Sequence, residues 1–393
     1  MRRIEVPVDA DALVDLALRL VSIPSPSGAE GEVAACVAAE MARLGFEVER
    51  DPVGNVIGTL DAGPGPCLLI DAHMDTVGVT EPGDWRHRPD GEIADGRLYG
   101  RGAMDMKGPL AASIHGVAAI RDRLRQGRVV VSASVAEELV EGPAASLVAT
   151  RVGADLVVIG EATSLGLAIG QRGRAELVIE VAGRSTHSSR PELGVNAAEV
   201  MADVVVALRG LEAPSHPVLG RGVLVLTDVL SRPYPGLSVV PDRCLATYDR
   251  RTLPGETEAA VVEPVRRAAE AVAARAGAGV TVRIAEDDFT TYTGERIVAP
   301  NFAPAWYLSP AAPIVAGAAE ALEAVGIEPR LTHYAFCTNG SGTAGRLGIP
   351  TVGFGPGAEE LAHRVDEHVE LRELVRGAAG YGALALRLTG GGG

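Results

Sequence analysis

The stretch that decides the fold is residues 67–75, CLLIDAHMD, in which an apolar run ends in His-x-Asp. The first four of these residues suit a strand that helices bury on both faces. Similar apolar runs at residues 129–135 and 156–159 alternate with helical patterns at 9–22, where Asp9 is a candidate N-cap, and at 30–44. This alternation predicts an α/β domain with a mainly parallel central sheet flanked by helices.

The pattern changes after Gly170. Strand-like runs at residues 174–182, 223–229, 243–249 and 279–284 enclose helical segments at 195–210 and 256–276. The order strand, helix, strand, strand, helix, strand predicts an inserted α+β module of the ferredoxin-like kind. Apolar residues 350–354 would complete the first sheet. We therefore predict a larger domain from residues 1–173 and 291–393, a smaller one from residues 174–290, and a frayed glycine tail at 390–393.

Length and composition limit the possible classes. The chain has 393 residues, 47% of them hydrophobic and 22% charged, which is typical of a two-domain globular protein. A net charge of −15 disfavours a nucleic acid or an anionic membrane as partner. The four scattered cysteines form no CxxC pair and are expected to be reduced. With no recognisable signal peptide or span, we expect a cytoplasmic protein.

Ionisable residues follow each apolar run. His73 and Asp75 could be a metal ligand and the carboxylate that orients its imidazole, although such a pair alone is more often structural. Glu137 and Glu138 follow the second run, where adjacent like charges are costly unless a cation or a shared proton compensates them. Glu161 follows the third run. Since ligands of open α/β sheets bind at the carboxyl ends of strands, these side chains are expected to converge.

Two further residues complete the set. Asp105 lies in GRGAMDMKG (100–108), where glycines allow the close backbone approach that suits a carboxylate bridging two cations. A dinucleotide-binding loop is excluded because the third glycine is missing at the required spacing. His363 follows the glycine-rich stretch GFGPG (353–357).

The donor set is three carboxylates and two imidazoles without thiolate, which suits two divalent ions, zinc first, with cobalt or manganese as alternatives. Two ions with a bridging acid can polarise a carbonyl and activate a water. Glu137 is left over, and it could take the proton of that water and pass it to a leaving nitrogen.

Together the motifs resemble the family of aminoacylases, acetylornithine deacetylase, succinyl-diaminopimelate desuccinylase and bacterial glutamate carboxypeptidase. The resemblance covers nearly the whole chain, and residues 336–357 are most similar to uncharacterised bacterial hydrolases and acetyl-lysine deacetylase-like proteins. It implies a phosphorylase/hydrolase-like catalytic domain with a dinuclear zinc site and an inserted lid through which a homodimer forms. The matching motifs are DAHMDTV, GRGAMDMKG, AEEL, GEAT, STHSSRPELGVNA, DRRTLPGE and GFGPG with a following histidine.

Carried over by motif, one metal would be held by His73 and Glu161 and the other by Glu138 and His363, with Asp105 between them. Asp75 would orient His73, Glu137 would be the general base and acid, and the Asp105–Met106 peptide would be cis.

The resemblance also implies substrate contacts. His187 would stabilise the oxyanion, within one subunit or across a dimer; the alternative is an exposed loop histidine. Arg251 would clamp a substrate carboxylate, and a surface arginine is an equal alternative. Thr338 and Asn339 would lie near the substrate, unless their Asn-Gly turn is only structural.

Two departures bear on the substrate. Desuccinylases carry Arg-Arg-Gly where this chain has Gln171, Arg172 and Gly173, so a diacid acyl group loses one expected partner. Many members also have an asparagine where this chain has Ser238.

We predict hydrolysis of the amide of a small carboxylate-bearing N-acyl amino acid or related molecule. A dipeptidase or carboxypeptidase is the alternative enzyme, and a metal-dependent binding protein without turnover is the alternative of another class, which the presence of Glu137 disfavours.

Overall fold

The computed structural model describes residues 3–390, so the predicted glycine tail lies, except for Gly390, outside the described residues. The helices in chain order are α1 (Ala10–Ser22), α2 (Gly31–Arg43), α3 (Lys107–Ala118), α4 (Pro143–Val152), α5 (Ala197–Leu208), α6 (Glu258–Ala276), α7 (Pro313–Ala324) and α8 (Leu371–Leu388). The strands are β1 (Glu47–Arg50), β2 (Val56–Asp61), β3 (Cys67–His73), β4 (Glu92–Ala94), β5 (Arg97–Tyr99), β6 (Arg128–Ser134), β7 (Leu156–Ile159), β8 (Leu167–Gln171), β9 (Gly173–Ala182), β10 (Ser215–His216), β11 (Gly220–Arg221), β12 (Val223–Arg232), β13 (Arg243–Thr252), β14 (Gly279–Ile284), β15 (Glu286–Thr290), β16 (Arg296–Pro300), β17 (Phe302–Ala303), β18 (Trp306–Tyr307), β19 (Leu331–Tyr334), β20 (Thr351–Gly353) and β21 (His368–Glu370).

The chain forms two compact units. Among the described residues, the larger unit contains 3–171, 288–299 and 306–390, and the smaller unit contains 172–287 and 300–305. The sequence-based boundaries after residues 173 and 290 fall two and three residues later than these divisions, and they did not place 300–305 with the smaller unit. The functions assigned to the two domains stay predictions.

The larger unit is built on a nine-stranded sheet with the order β1-β2-β6-β3-β7-β20-β8-β18, in which β19 also pairs with β8. The central neighbours β6, β3, β7 and β20 run parallel, whereas β1, β2 and β18 are antiparallel to their partners. Every residue of β3 is buried, as expected for a strand covered on both faces. The predicted mainly parallel α/β sheet is confirmed.

Helices α1, α3 and α8 pack together over this sheet. α1 begins as predicted, because the Asp9 carboxylate accepts a hydrogen bond from the Ala12 amide at 3.1 Å. α3 is buried from Lys107 to Val117 and lies so close to α8 that a Cβ on Gly116 would be 2.1 Å from the carbonyl oxygen of Ala378. α3 begins at Lys107, two residues after Asp105.

The smaller unit has a five-stranded antiparallel sheet with the order β12-β13-β9-β14, in which β17 also pairs with β9, and α5 and α6 pack on it. Its chain order and strand order are those of the predicted ferredoxin-like module. Residues of β9 alternate between buried and half-buried, whereas β12, at one edge, is largely exposed.

Within residues 3–390, no helix combines the length and apolarity needed to cross a bilayer. No disulfide joins any of the four cysteines, all of which lie within residues 3–390, and Cys67, Cys244 and Cys337 are buried.

Candidate metal centre

The carboxyl ends of the central strands bring the predicted ligands together. β3 ends at His73 and pairs in parallel with β6, which precedes Glu137 and Glu138, and with β7, which precedes Glu161. Parallel strands end at the same edge of a sheet, so these side chains meet although up to 88 positions separate them in the chain.

Two groups of ligand atoms share one carboxylate. Nε2 of His73 lies 3.1 Å from Oδ1 of Asp105 and 3.3 Å from Oε1 of Glu161. Nε2 of His363 lies 3.2 Å from Oδ2 of Asp105 and 3.0 Å from Oε2 of Glu138. Within each group the ligand atoms lie within 4.8 Å of one another. Asp105 thus turns one oxygen to each histidine.

This arrangement fits two divalent metal ions. Three carboxylates and two imidazoles converge at one edge of the sheet, and His73 and Glu161 are almost fully buried. A buried cluster with this excess of acid requires compensating positive charge. Oxygen and nitrogen donors without thiolate are those of hard and borderline divalent cations.

The surroundings shift the proton affinities of the cluster. Burial opposes the charged form of His73, but hydrogen bonds to Asp105 and Glu161 raise the pKa of its imidazole well above the usual value. Hydrogen bonds to Asp105 and Glu138 raise the pKa of His363 to about 10. Burial raises the pKa of Glu161 to about 7. Since metals bind the deprotonated ligands, protons and metal ions compete for this site.

Asp75 supports the ligand cluster through hydrogen bonds to the backbone of neighbouring residues. Its Oδ1 and Oδ2 accept hydrogen bonds from the amides of Glu137 and Glu138, both at 3.1 Å, and Oδ2 also accepts from Ser27 Oγ at 2.6 Å. Nδ1 of His73 lies 2.9 Å from the backbone carbonyl oxygen of Asp75 and 3.5 Å from its carboxylate. The carbonyl is therefore the better acceptor for His73, and the carboxylate mainly positions the two glutamates.

Glu137 belongs to neither ligand group. Its carboxylate is buried, and Oε2 lies 3.9 Å from Nε2 of His73. Burial raises the pKa of this carboxyl well above its usual value, and the nearby Glu161 and Glu138 act in the same direction. The preceding residue, Ala136, has a φ of 56°, and its amide donates to Oε1 of the buried Glu30 at 3.2 Å. Glu30 thus supports the turn that presents Glu137.

Glu367 has a structural role at the centre that the sequence analysis missed. Its Oε1 accepts hydrogen bonds from the amides of Met104 and Asp105 at 3.0 and 3.1 Å, and its Oε2 accepts from Nη1 of Arg101 at 2.5 Å. The Asp105–Met106 peptide that it supports is cis, as the resemblance implied. The sequence feature that could have indicated this role is the position of Glu367 four residues after the predicted ligand His363.

Thr338 and Asn339 are buried in the larger unit and bonded to protein groups. Nδ2 of Asn339 donates to Asp71 at 2.9 Å, and its Oδ1 accepts from the Gly142 amide at 2.9 Å. Thr338 Oγ1 donates to Oε1 of Gln171 at 2.6 Å. These contacts favour the structural explanation of the Asn-Gly turn over direct contact with a substrate.

His187 and Arg251 lie in the smaller unit. Nδ1 of the exposed His187 accepts a hydrogen bond from the Ser189 amide at 3.1 Å. Nε of Arg251, whose side chain is one third exposed, pairs with Oδ1 of Asp249 at 2.9 Å. Their assignments to oxyanion and carboxylate binding stay predictions.

Comparison with known proteins extends over almost the whole chain. Residues 69–387 match the sequence profile of peptidase family M20/M25/M40. The uncharacterised protein YgeY of Escherichia coli (strain K12) is 33% identical over 93% of this chain and 92% of its own. The succinyl-diaminopimelate desuccinylase of Methylorubrum extorquens is 31% identical over 93% of this chain and 96% of its own. YXEP of Bacillus subtilis, described as a dinuclear metal binding peptidase from the M20 family, has a TM-score of 0.72 at 19% identity and covers 97% of this chain and 99% of its own.

Proposed function

The chain belongs to peptidase family M20/M25/M40, and from that premise we propose that it removes the acyl group from an N-acyl amino acid or a related small molecule. The broader class, a metal-dependent hydrolase of amide or peptide bonds, follows from the family and from relatives such as the desuccinylase. The enzyme prediction is thereby confirmed, and the binding protein without turnover is set aside.

The observation that carries the proposal is the position of Glu137. It is a buried carboxylate beside two ligand groups that are complete without it. We assign His73 and Glu161 to one metal, Glu138 and His363 to the other, and Asp105 to both, with zinc preferred over cobalt or manganese because of the imidazole donors. When bound, the ions supply the Lewis acidity that polarises a carbonyl and acidifies a water.

The side chains of this chain then divide the proton transfers. Glu137 accepts a proton from the attacking water and delivers it to the leaving nitrogen, so that a carboxylic acid and an amine are formed. Asp75 accepts hydrogen bonds from the amides of Glu137 and Glu138, which fixes the position of the general base relative to that of a metal ligand. Glu367 does the same for Asp105 through its amide.

We assign His187 to stabilisation of the oxyanion. Its Nδ1 accepts the Ser189 N–H, a contact that favours the tautomer with the proton on Nε2. An Nε2–H group is the kind of donor that an oxyanion requires. Arg251 is assigned to the substrate carboxylate, since a planar guanidinium suits a pair of oxygens.

The acyl group is proposed to be uncharged, such as acetyl. Gln171 stands where desuccinylases carry an arginine, and it cannot supply a positive charge to a diacid. It is also buried, and its Oε1 accepts a hydrogen bond from Thr338. The contact expected for a succinyl carboxylate at this position is therefore missing from this chain.

The homodimer is proposed to form through the smaller unit. β12 lies at the edge of the sheet and leaves Val225 and Val229 about half exposed. An exposed apolar edge strand can pair with another strand, and a second copy of the chain offers the same one.

The experiment is hydrolysis of a matched panel: N-acetyl and N-succinyl derivatives of the same amino acids beside dipeptides that contain them. The proposal expects the highest kcat/KM on N-acetyl compounds. A preference for dipeptides would replace the deacylase with a dipeptidase, and a preference for N-succinyl compounds would overturn the argument from Gln171.

A further inference from the structure

A cavity in the larger unit contains two buried cationic side chains that the proposed reaction does not use. Its volume is about 240 Å³, and Arg101 and Lys107 contribute to its lining with Thr76, Gly78, Val79 and Asp90. Arg101 is 4% exposed and Lys107 is 1% exposed. Buried charges of this kind normally have partners that neutralise them.

Half of the Arg101 guanidinium is occupied. Nη1 donates to Oε2 of Glu367, and the guanidinium carbon lies 5.5 Å from the centre of the Trp85 ring. Nε and Nη2 are buried and have no hydrogen-bond partner among residues 3–390. These two nitrogens form the edge of the guanidinium that pairs with two oxygens of one anion.

The acidic residue of the cavity lining, Asp90, is paired with Arg88 and not with Arg101 or Lys107. Asp90 is exposed, and its two oxygens accept from Nε and Nη2 of Arg88 at 3.0 and 2.9 Å. Nζ of Lys107 donates to the carbonyl oxygen of Ile23 at 2.6 Å, and an ammonium has two more N–H groups. Arg101 and Lys107 are therefore the cationic residues of the lining that Asp90 does not pair with, and the carboxylates that interact with Lys107 are those of Glu367 and Asp75.

We propose that this cavity binds a small oxyanion that pairs with the guanidinium of Arg101, whose buried Nε and Nη2 turn towards the cavity when the anion binds, while Lys107 contributes positive charge. The volume is several times that needed by one water, so a four-oxygen anion has room. Val79, which is 40% exposed, and the exposed Asp90 mark the side that solvent reaches. The anion is either a free inorganic oxyanion or a small carboxylate, which share the required pair of charged oxygens.

Binding at this cavity acts on the metal centre through one residue. Arg101 holds Glu367, and Glu367 holds the amides of Met104 and Asp105. An anion on the free edge of Arg101 fixes the guanidinium, and thereby the loop that carries the shared ligand. Saturable stabilisation of the folded protein is the expected result.

The test uses the full-length enzyme, metal-loaded and chelator-treated, titrated with phosphate, sulfate or acetate at constant ionic strength. Calorimetry and the thermal midpoint are recorded. A Cβ on Gly78, a residue of the cavity lining, would meet no atom within 4 Å, so Gly78→Glu adds a negative charge there and Gly78→Gln is its neutral control. Arg101→Lys removes the paired donors, and Arg97→Lys, at an arginine paired with Glu370 outside the cavity, is the control.

Saturable binding is expected in the wild type and in both controls, and it should be at least about tenfold weaker in Gly78→Glu and Arg101→Lys. Tighter binding of phosphate and sulfate identifies the inorganic anion, whereas tighter binding of acetate identifies the carboxylate. Equal binding in Gly78→Glu and Gly78→Gln, or a thermal midpoint that none of the anions shifts at constant ionic strength, overturns the proposal. If Arg101→Lys does not fold, the comparison of anion binding between Gly78→Glu and Gly78→Gln tests the proposal.

Discussion

Asp75 shows how one buried carboxylate can control several functional residues. It accepts hydrogen bonds from the amides of Glu137 and Glu138 and from Ser27, and its own carbonyl oxygen contacts Nδ1 of His73. A metal site depends on such groups nearly as much as on its ligands.

Replacing Asp75 with asparagine removes the negative charge and one of the acceptors. Metal affinity is expected to fall by about 10- to 100-fold, as measured by competition with a chromogenic chelator. Asp51→Asn is the matched control, because Asp51 is also buried and accepts two backbone amides outside the ligand groups. Equal losses of affinity in the two variants would contradict the assigned role.

Asn339 tests the structural explanation of the Asn-Gly turn. Asn339→Ala removes one of the hydrogen-bond donors to the buried Asp71 and the acceptor of the Gly142 amide, which is expected to reduce the free energy of unfolding by about 1–3 kcal/mol. KM should stay near the wild-type value. Asn55→Ala, at a buried asparagine bonded to Asp51, is the reference for loss of stability alone. A raised KM with unchanged urea denaturation would restore the assignment to substrate binding.

The residues that could be predicted are those that follow a recognisable apolar run. His73, Glu138 and Glu161 lie directly after such runs, and the structure brings them to one edge of the sheet. Glu367 and Glu30 were not predicted, because their contacts join segments more than a hundred residues apart. The local signal for Glu367 was limited to its position four residues after His363.

At the scale of elements, long periodic segments were predictable and short ones were not. The central strands β3, β6 and β7 each contain an apolar run of three or four residues, and the structure has them within a few residues of the predicted positions. β4, β5 and β21 have three residues each and pair only with one another, so their sequences carry no period. Residues 300–305 join the smaller unit because β17 pairs with β9. These two strands are far apart in the chain, so no local sequence pattern indicates that they pair.

The packing of α2 and α3 predicts a dependence of stability on pH. His115 of α3 is 4% exposed, and its Nε2 lies 3.4 Å from Oε1 of Glu40 in α2. Burial lowers the pKa of this imidazole below its usual value of 6.5, although Glu40 opposes the shift. The unfolded chain therefore binds the proton first on acidification, and stability is lost as the pH falls below about 6.5.

Urea denaturation of the chelator-treated protein at pH 7.5 and 5.5 measures this loss. His115→Gln should lose less stability between the two pH values than the wild type does, while His368→Gln should behave like the wild type. Parallel pH dependence in all three proteins would show that His115 makes no such contribution.

At the scale of the whole molecule, the edge strand β12 predicts the oligomeric state. Val225→Lys and Val229→Lys place charges on the exposed edge of the smaller unit, which disfavours pairing with another strand. Both variants are expected to sediment as monomers, whereas the wild type and Val298→Lys, on an exposed site of the larger unit, should sediment as dimers. A monomeric wild type, or dimeric β12 variants, would contradict the proposed interface.

The most direct test of the central claim measures metal content and amide hydrolysis on the same samples. Chelator-treated enzyme is titrated with zinc, beside Glu137→Gln and the control Glu141→Gln. We predict two ions per chain in all three proteins, turnover that appears only as zinc binds, and a kcat about 10²- to 10⁴-fold lower in Glu137→Gln alone. Full activity in Glu137→Gln, or hydrolysis by the chelator-treated wild type, would contradict the account.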